Sequence, residues 1–102
     1  MNQQIFKEIQ VLKRRILPNE KVILFGSQAR GDAREDSDWD LLVLIDKERK
    51  TPEDEDKAFQ FVLVGWKYGA YFSIKMFTAE QWEKGKIFPF YKNVMREGIE
   101  IN

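Results

Sequence analysis

The sequence predicts a small α/β (α+β) domain in which a mixed sheet of three to four strands is flanked by helices. Two short apolar runs, Val22–Phe25 and Leu41–Ile45, have the length and composition of buried strands. Segments with helical periodicity and helix caps lie before and after these runs. Cysteine is absent, so the chain has neither a disulfide framework nor a thiolate metal site.

The 102 residues are expected to form a single domain, residues 1–102, because a chain of this length supports one small core. The formal net charge is zero, but residues 35–56 carry ten acidic and three basic groups. This acidic middle argues against a continuous nucleic-acid-binding face, and no long nucleic acid is expected as a partner. No apolar run approaches the roughly 20 residues of a membrane span, and the N-terminus does not resemble a signal peptide. A cytoplasmic protein without membrane contact is therefore expected.

The first half of the chain predicts a helix followed by two strands. Residues 2–17 place apolar side chains on one helical stripe, at Ile5, Ile9, Leu12 and Ile16. Pro18 ends this helix, and the first strand follows at residues 22–25. A Gly-Ser pair breaks the apolar run into a helix-like turn, and the second strand runs to about Asp46.

A long helix is predicted from Thr51, a suitable N-cap followed by Pro52, to about Tyr68. This helix is apolar nearly all round, although a surface helix needs only one apolar face. One side carries Phe59, Val62, Leu63 and Trp66, and a second side carries Phe61, Val64 and Tyr68. Either the domain buries both sides, or one side contacts a partner protein or a second copy in a homodimer.

The C-terminal part predicts a third strand, two helices and an edge strand. Residues 71–77 have the alternating aromatic content of a strand. Thr78 and Gln81 have the spacing of a capping box, which begins a short helix. Another helix begins at Pro89 and is closed by Gly98, after which residues 99–101 form the edge strand.

Two carboxylates mark the beginning of the second strand. Because Asp38 and Asp40 are two residues apart, they project to the same face, roughly 6–7 Å apart along the backbone. Carboxylates at this spacing repel each other unless a cation lies between them. Oxygen ligands of this kind suit magnesium, which completes its shell with substrate phosphates. The pair therefore predicts a metal site.

The turn after the first strand predicts the phosphate-binding part of the same site. Gly26 lets the backbone approach closely, and Ser27 supplies a hydroxyl beside the backbone N–H groups. The guanidinium fork of Arg30 suits a phosphate oxygen. The alternative for this arginine is a salt bridge to Asp32 or Asp36.

Other interpretations of the acidic motif are less consistent with the sequence. The 1-3-5 spacing of Asp36, Asp38 and Asp40 matches an EF-hand loop, but the sixth and twelfth positions are Leu41 and Lys47 rather than glycine and glutamate. The glycine-rich turn lacks the lysine of a P-loop. The remaining alternative is that the two aspartates are turn residues before a strand, which leaves the Gly-Ser turn unexplained.

The segment Gly26-Ser27-Gln28-Ala29-Arg30-Gly31, followed by Ser37-Asp38-Trp39-Asp40-Leu41-Leu42-Val43, resembles the minimal nucleotidyltransferases of the DNA polymerase beta superfamily. Weaker similarity at residues 95–99 extends the resemblance to nearly the whole chain. The resemblance implies the nucleotidyltransferase fold and transfer of a nucleoside monophosphate from a nucleoside triphosphate, expected to be ATP, to a protein or small-molecule acceptor.

The resemblance also assigns roles to individual residues. Asp38 and Asp40 would be catalytic and would hold Mg²⁺, with two ions in the productive complex, and Gly26, Ser27 and Arg30 would bind the nucleotide. Small members of this family often pair with a helical HEPN-type protein, as antitoxin to toxin. A HEPN-type partner is therefore expected for this chain.

The chain departs from the family pattern on the third strand. Active relatives place a third carboxylate there, but the corresponding position is Ser73, with Lys75 two residues further along the same face. The favoured hypothesis is still a Mg²⁺-dependent enzyme. The alternative is a catalytically impaired, nucleotide-binding regulatory subunit that works by binding a helical partner.

Overall fold

The computed structural model describes residues 1–102 as a four-stranded sheet with five helices. The strands are β1 (Lys21–Phe25), β2 (Trp39–Ile45), β3 (Phe72–Thr78) and β4 (Ile99–Ile101). The helices are α1 (Gln3–Ile16), α2 (Gly26–Arg30), α3 (Pro52–Lys67), α4 (Ala79–Lys84) and α5 (Pro89–Glu97). The strand order is β3-β2-β1-β4, and β1 is antiparallel to both of its neighbours whereas β2 and β3 are parallel. The predicted mixed sheet with flanking helices is confirmed.

Helices cover both faces of the sheet, which explains why the central strands read as continuous apolar runs. On one face, α1 and α3 pack against the side chains of Trp39, Leu41 and Val43 in a core cluster of 15 buried residues. On the other face, α4 and α5 pack against Ile23 and Leu42 in a smaller cluster. Successive residues of β2 alternate between these two faces, so Asp40 lies on the side of the smaller cluster.

The exposed face of α3 carries large apolar side chains that no other element covers. Phe59, Leu63 and Trp66 are 46%, 38% and 63% exposed and follow one line along the helix. We call these three residues the α3 strip. Phe61, on the other side of the helix, is fully buried in the main core. The core thus buries Phe61 and partly covers Val62, whereas the α3 strip stays exposed. None of the five helices combines the length and apolar character that a bilayer crossing demands.

An ion pair between the half-exposed Lys47 and the buried Asp54 anchors the N-terminus of α3. Lys47 Nζ donates to both carboxylate oxygens of Asp54 at 3.0 and 3.1 Å, and the Thr51 backbone N–H donates to Asp54 Oδ2 at 2.8 Å. The Asp54 N–H donates in return to Thr51 Oγ1, which completes a capping box. Burial raises the pKa of Asp54, but the hydrogen bonds from Lys47 and Thr51 outweigh burial and hold this pKa below its usual range.

We expect Asp54→Ala to lower the free energy of unfolding at neutral pH by roughly 1.5–3 kcal/mol, the value of hydrogen bonds to a charged group. A carboxyl with a lowered pKa stabilises the fold above its unfolded pKa, and this stabilisation is lost as the pH falls through the folded pKa. The difference between native and variant proteins should therefore shrink below about pH 4. Urea unfolding at neutral and acidic pH measures this difference.

The control is Gln81→Ala, which removes an uncharged capping box at the start of α4. There the Thr78 N–H donates to Gln81 Oε1 at 3.0 Å, and the Gln81 N–H donates to Thr78 Oγ1 at 3.1 Å. Its cost should be the same at both pH values. A pH-independent cost for Asp54→Ala as well would contradict the ionic role assigned to Asp54.

Candidate active site

The turn between β1 and α2 brings the backbone against the carboxylate of Asp40. Gly26 follows directly on Phe25 and has a φ of +74°, a conformation that favours glycine. A Cβ atom at this position would overlap Asp40 Oδ2 and would lie 3.2 Å from Asp40 Cγ. The glycine is therefore required both by its own backbone conformation and by the neighbouring carboxylate. Ser27 follows in the same turn and is half-buried.

Asp40 lies in the middle of the sheet, between β1 and β3. Its register partners are Phe25 on β1 and Ser73 on β3. Asp38 lies just outside β2, in an irregular segment, and is exposed, whereas Asp40 is half-buried. The two aspartates were expected to lie in one strand, and Asp38 is in fact placed before it. Trp39 between them points to the opposite face, where its ring stacks on Phe72 at a centroid distance of 5.7 Å.

Burial and the neighbouring charges act together on the carboxylate of Asp40. Burial raises the pKa of Asp40, and the nearby negative charge of Asp38 raises this pKa further. The positive charges of Lys75 and Arg30 oppose these effects but do not cancel them. A cation placed between the two carboxylates would relieve their repulsion, and oxygen donors suit Mg²⁺. The donor set therefore fits magnesium.

The third strand contributes no carboxylate to this site. Its register places Ser73 directly beside Asp40 and aligns Lys75 with Leu42, one pleat further along. No group of three or more His, Cys, Asp or Glu side chains that could hold a metal ion occurs in the structure. Two carboxylates alone leave most of an octahedral shell open, so phosphate oxygens and water must supply the other ligands.

Arg30 forms ion pairs with two carboxylates at the rim of the site. Its Nε donates to Asp32 Oδ2 at 3.3 Å, and its Nη1 donates to Glu97 Oε2 at 3.4 Å. The hydrogen bonds to Asp32 and Glu97 raise the pKa of Arg30 above its usual value. The arginine side chain is 43% exposed, and ion pairs of this kind contribute little to stability. Arg30 can therefore exchange one of these carboxylates for a phosphate oxygen at small cost.

Two residues near the site were not found by sequence reasoning. Glu97 lies 67 residues from Arg30 and reaches it only because α5 packs against α2. Gln28 is 5% exposed, and its Nε2 donates to the Ser37 carbonyl across the loop between α2 and β2. Gln28 stands within the Gly26–Gly31 motif and Glu97 within residues 95–99, but neither pattern indicates which distant group the side chain contacts.

The two carboxylates and the Gly-Ser turn lie outside two cavities of the domain. A cavity of about 490 Å³ lies behind residues 33–37, on the side of Trp39 and Tyr68. A second cavity of about 280 Å³ lies between Trp82, Tyr91 and the far end of the sheet. Neither cavity is lined by the two carboxylates or by the Gly-Ser turn.

A mixed sheet of this order, with a Gly-Ser turn after its first strand and two carboxylates at the start of the second, defines the class of nucleotidyltransferase folds. Comparison with known families agrees with this class. The chain belongs to the nucleotidyltransferase domain family, whose model matches residues 5–97. The family predicted from the sequence motifs is thus confirmed.

Individual relatives show how far this similarity extends. The chain is 33% identical over 84 residues to MJ0604, a candidate protein adenylyltransferase of Methanocaldococcus jannaschii, and the match covers 78% of this chain and 74% of that protein. It is 49% identical over 41 residues, 40% of each chain, to MJ0141, a second candidate protein adenylyltransferase of the same organism. Among solved structures, a toxin–antitoxin crystallised with AMP-PNP superposes with a TM-score of 0.64 at 17% identity, over all of this chain and 73% of that one. This last similarity establishes a shared fold.

Proposed function

We propose that this chain is a Mg²⁺-dependent nucleotidyltransferase that moves a nucleoside monophosphate from ATP to a protein or small-molecule acceptor. The observation that carries the proposal is the position of Asp40. This carboxylate is half-buried beside a glycine that can approach it closely, and the charge of Asp38 is near enough to raise its pKa. Membership of the nucleotidyltransferase domain family and 33% identity to a candidate protein adenylyltransferase support the same reaction class.

In this proposal each side chain near the turn has one task. Asp38 and Asp40 would hold two Mg²⁺ ions. These ions would stabilise the negative charge on the attacking and leaving oxygens. The Ser27 hydroxyl and the neighbouring backbone N–H groups face the terminal phosphates. Arg30 exchanges Asp32 or Glu97 for a phosphate oxygen.

The covalent change in this reaction involves only the substrates. An acceptor oxygen forms a bond to the α-phosphorus, the bond from that phosphorus to the bridging oxygen breaks, and pyrophosphate leaves with its electron pair. The chain contributes orientation and charge stabilisation to this step. Because β3 presents Ser73 instead of a carboxylate, the sheet offers no third carboxylate that could act as a base, and the proton of the acceptor passes to solvent water. We therefore expect slow transfer.

The proposed reaction is tested by comparing two labelled forms of ATP. With Mg²⁺ and a lysate of the source organism, label at the α-phosphate should appear on an acceptor, whereas label at the γ-phosphate should leave with pyrophosphate. Transfer of the γ-label would instead indicate a kinase. If neither label is transferred although Mg·ATP binds, the chain is a nucleotide-binding subunit rather than an enzyme.

Ser73→Asp is expected to increase both Mg²⁺ affinity and the transfer rate by about tenfold, which corresponds to ~1.4 kcal/mol. The expected gain is smaller than the Coulomb energy of ~4 kcal/mol between two unit charges 4 Å apart near a protein surface. It is smaller because the new carboxylate also repels Asp40. Titration of Mg²⁺ against bound ATP measures the affinity. Ser73→Asn is the matched control, since it has a similar size without the charge. Equal effects of the two variants would contradict a missing third carboxylate at this position.

A second candidate function is supported by the α3 strip, whose three apolar residues are 38% to 63% exposed. Exposed apolar patches of this kind mark contact surfaces. In this alternative, the chain binds nucleotide without turnover and docks through the α3 strip on a helical, HEPN-type partner. The similarity of its fold to a toxin–antitoxin protein crystallised with AMP-PNP is consistent with such a pairing.

Trp66→Ser is expected to weaken binding to a purified HEPN-type partner by about 30-fold, because loss of an aromatic anchor at an interface costs about 2 kcal/mol or more. Val11→Ser is the matched control, since Val11 is a 52% exposed apolar residue on α1, outside the α3 strip. Calorimetry gives both affinities, and light scattering reports the oligomeric state of the chain alone. A change from dimer to monomer in Trp66→Ser would assign the α3 strip to a homodimer instead. Equal partner affinities for the two variants would exclude the strip as the docking surface.

A further inference from the structure

The two carboxylates of the site are held in place in different ways. Asp40 lies inside β2, where hydrogen-bonded neighbours on both sides fix its backbone. Asp38 lies before the strand, is exposed, and its side chain takes part in no hydrogen bond or ion pair within the chain. Since nothing holds its carboxylate directly, the direction of Asp38 depends on the peptide groups next to it.

Both peptide groups that flank Asp38 are hydrogen-bonded to other elements. On the preceding side, Gln28 Nε2 donates to the Ser37 carbonyl at 3.2 Å. On the following side, the Trp39 N–H donates to the Tyr71 carbonyl at 2.9 Å, just before β3 begins. Together these bonds fix the orientation of the residue between them. The second bond extends the parallel pairing of β2 and β3, whereas the first depends on a single side chain.

Gln28 is suited to hold this loop because it is buried in the turn that carries the phosphate-binding residues. It is 5% exposed and belongs to α2, two residues after Gly26. A backbone carbonyl can only accept hydrogen bonds, so the amide nitrogen of Gln28 must face Ser37. Ser37 is further fixed by Arg34, whose N–H donates to Ser37 Oγ at 2.7 Å. Gln28 therefore connects the Gly-Ser turn to the segment that ends at Asp38.

We propose that Gln28 is a positioning residue, which sets the distance between the phosphate-binding turn and the metal-binding carboxylate of Asp38 through its hydrogen bond to the Ser37 carbonyl. This inference rests on the proposed function, because it assigns Gln28 a task within the same site. Gln28 touches neither metal nor nucleotide in this role. Its loss should impair metal-dependent binding selectively and leave the contacts of the Gly-Ser turn with phosphate intact.

The test is the gain in ATP affinity that Mg²⁺ produces, measured by calorimetry in EDTA and in Mg²⁺. Gln28→Met keeps the size of the side chain but removes the donor, and Gln28→Glu places an acceptor against the carbonyl. Each should reduce the Mg²⁺-dependent gain by about tenfold or more, the scale on which residues that orient metal ligands act. The affinity in EDTA should stay within about twofold of native, which a merely structural defect would not allow. Gln60→Met, an exposed change on α3, is the control.

The possible outcomes separate this inference from the proposed function. If the native chain gains no affinity from Mg²⁺, the proposed function fails and the role of Gln28 fails with it. A different result would overturn only the positioning role. In that result the native chain gains affinity from Mg²⁺, Asp38→Asn abolishes this gain, and both Gln28 variants keep it. Equal losses in EDTA and in Mg²⁺ for folded Gln28 variants would also overturn it. If Gln28→Met does not fold, Gln28→Glu decides between these outcomes in the same way.

Discussion

Replacement of Asp40 by asparagine is expected to lower Mg²⁺-dependent nucleotidyl transfer by about 10³-fold while making the metal-free protein more stable. A bound metal ion contributes several kcal/mol of charge stabilisation to the transition state, and each factor of ten corresponds to about 1.4 kcal/mol. Asparagine keeps the shape of the side chain but cannot provide an anionic ligand. The expected loss therefore follows from the charge alone.

The stability of the same variant should change in the opposite direction. Burial and the charge of Asp38 raise the pKa of Asp40, so the ionised form is less favourable in the folded protein than in the unfolded chain. Between the ordinary and the raised pKa the folded protein binds more protons, and its stability decreases as the pH rises through this range. Asp40→Asn removes this unfavourable charge, so its melting temperature without metal should exceed that of the native chain at neutral pH.

Thermal melts in EDTA and transfer assays with Mg²⁺ test the two expectations together. The matched control is Asp46→Asn, the same chemical change just beyond the far end of β2, where the side chain is exposed. This control should leave both transfer and melting temperature near native values. If Asp40→Asn retains Mg²⁺-dependent ATP binding, the site has been assigned to the wrong residues.

Gly26→Ala is expected to abolish most Mg²⁺-dependent ATP binding, whereas Gly31→Ala should leave this binding nearly unchanged. Both glycines have a positive φ, +74° and +85°, so each substitution costs about 1–2 kcal/mol of folding free energy for the left-handed backbone conformation. They differ in their surroundings. A Cβ at Gly31 has no heavy atom within 4 Å, whereas a Cβ at Gly26 displaces the Asp40 carboxylate.

The comparison separates backbone strain from damage to the site. Chemical unfolding should give similar stability losses for the two variants, because the Asp40 carboxylate can rotate away from a methyl group at position 26. Calorimetry with Mg·ATP should then show a loss of affinity of about tenfold or more for Gly26→Ala only. Similar affinities in the two variants would show that the close contact between Gly26 and Asp40 has no part in nucleotide binding.

The sequence allowed the elements to be predicted because their signals are local. The Thr51 N-cap and the Thr78–Gln81 capping box begin α3 and α4 as expected, and Pro89 begins α5. The period of two along a strand likewise explains why Trp39 lies on the opposite face from Asp40. The predicted strand bounds differ from the structure by only one or two residues at their ends.

Other features of the site depend on contacts between distant parts of the chain. The pairing of Arg30 with Glu97 requires α5 to pack on α2, and no local pattern indicates that packing. Asp38 was expected within a strand, but it lies just before β2, between the Ser37 carbonyl, which accepts from Gln28 Nε2, and the Trp39 N–H, which donates to the Tyr71 carbonyl. The fate of the two apolar sides of α3 was also undecided, because only the packed structure shows that Phe61 is buried while Trp66 is exposed.

The contact between Gly26 and Asp40 has a consequence for how these two positions can change. A methyl group at position 26 displaces the carboxylate of Asp40 from the space that it occupies beside the glycine. The effects of substitutions at the two positions on Mg·ATP affinity should therefore be non-additive, and a double-mutant cycle of these affinities should show a coupling energy. In a lineage that replaced Asp40 with a smaller residue, only the left-handed backbone would still restrict position 26. The epistasis between these two residues would disappear together with the metal site.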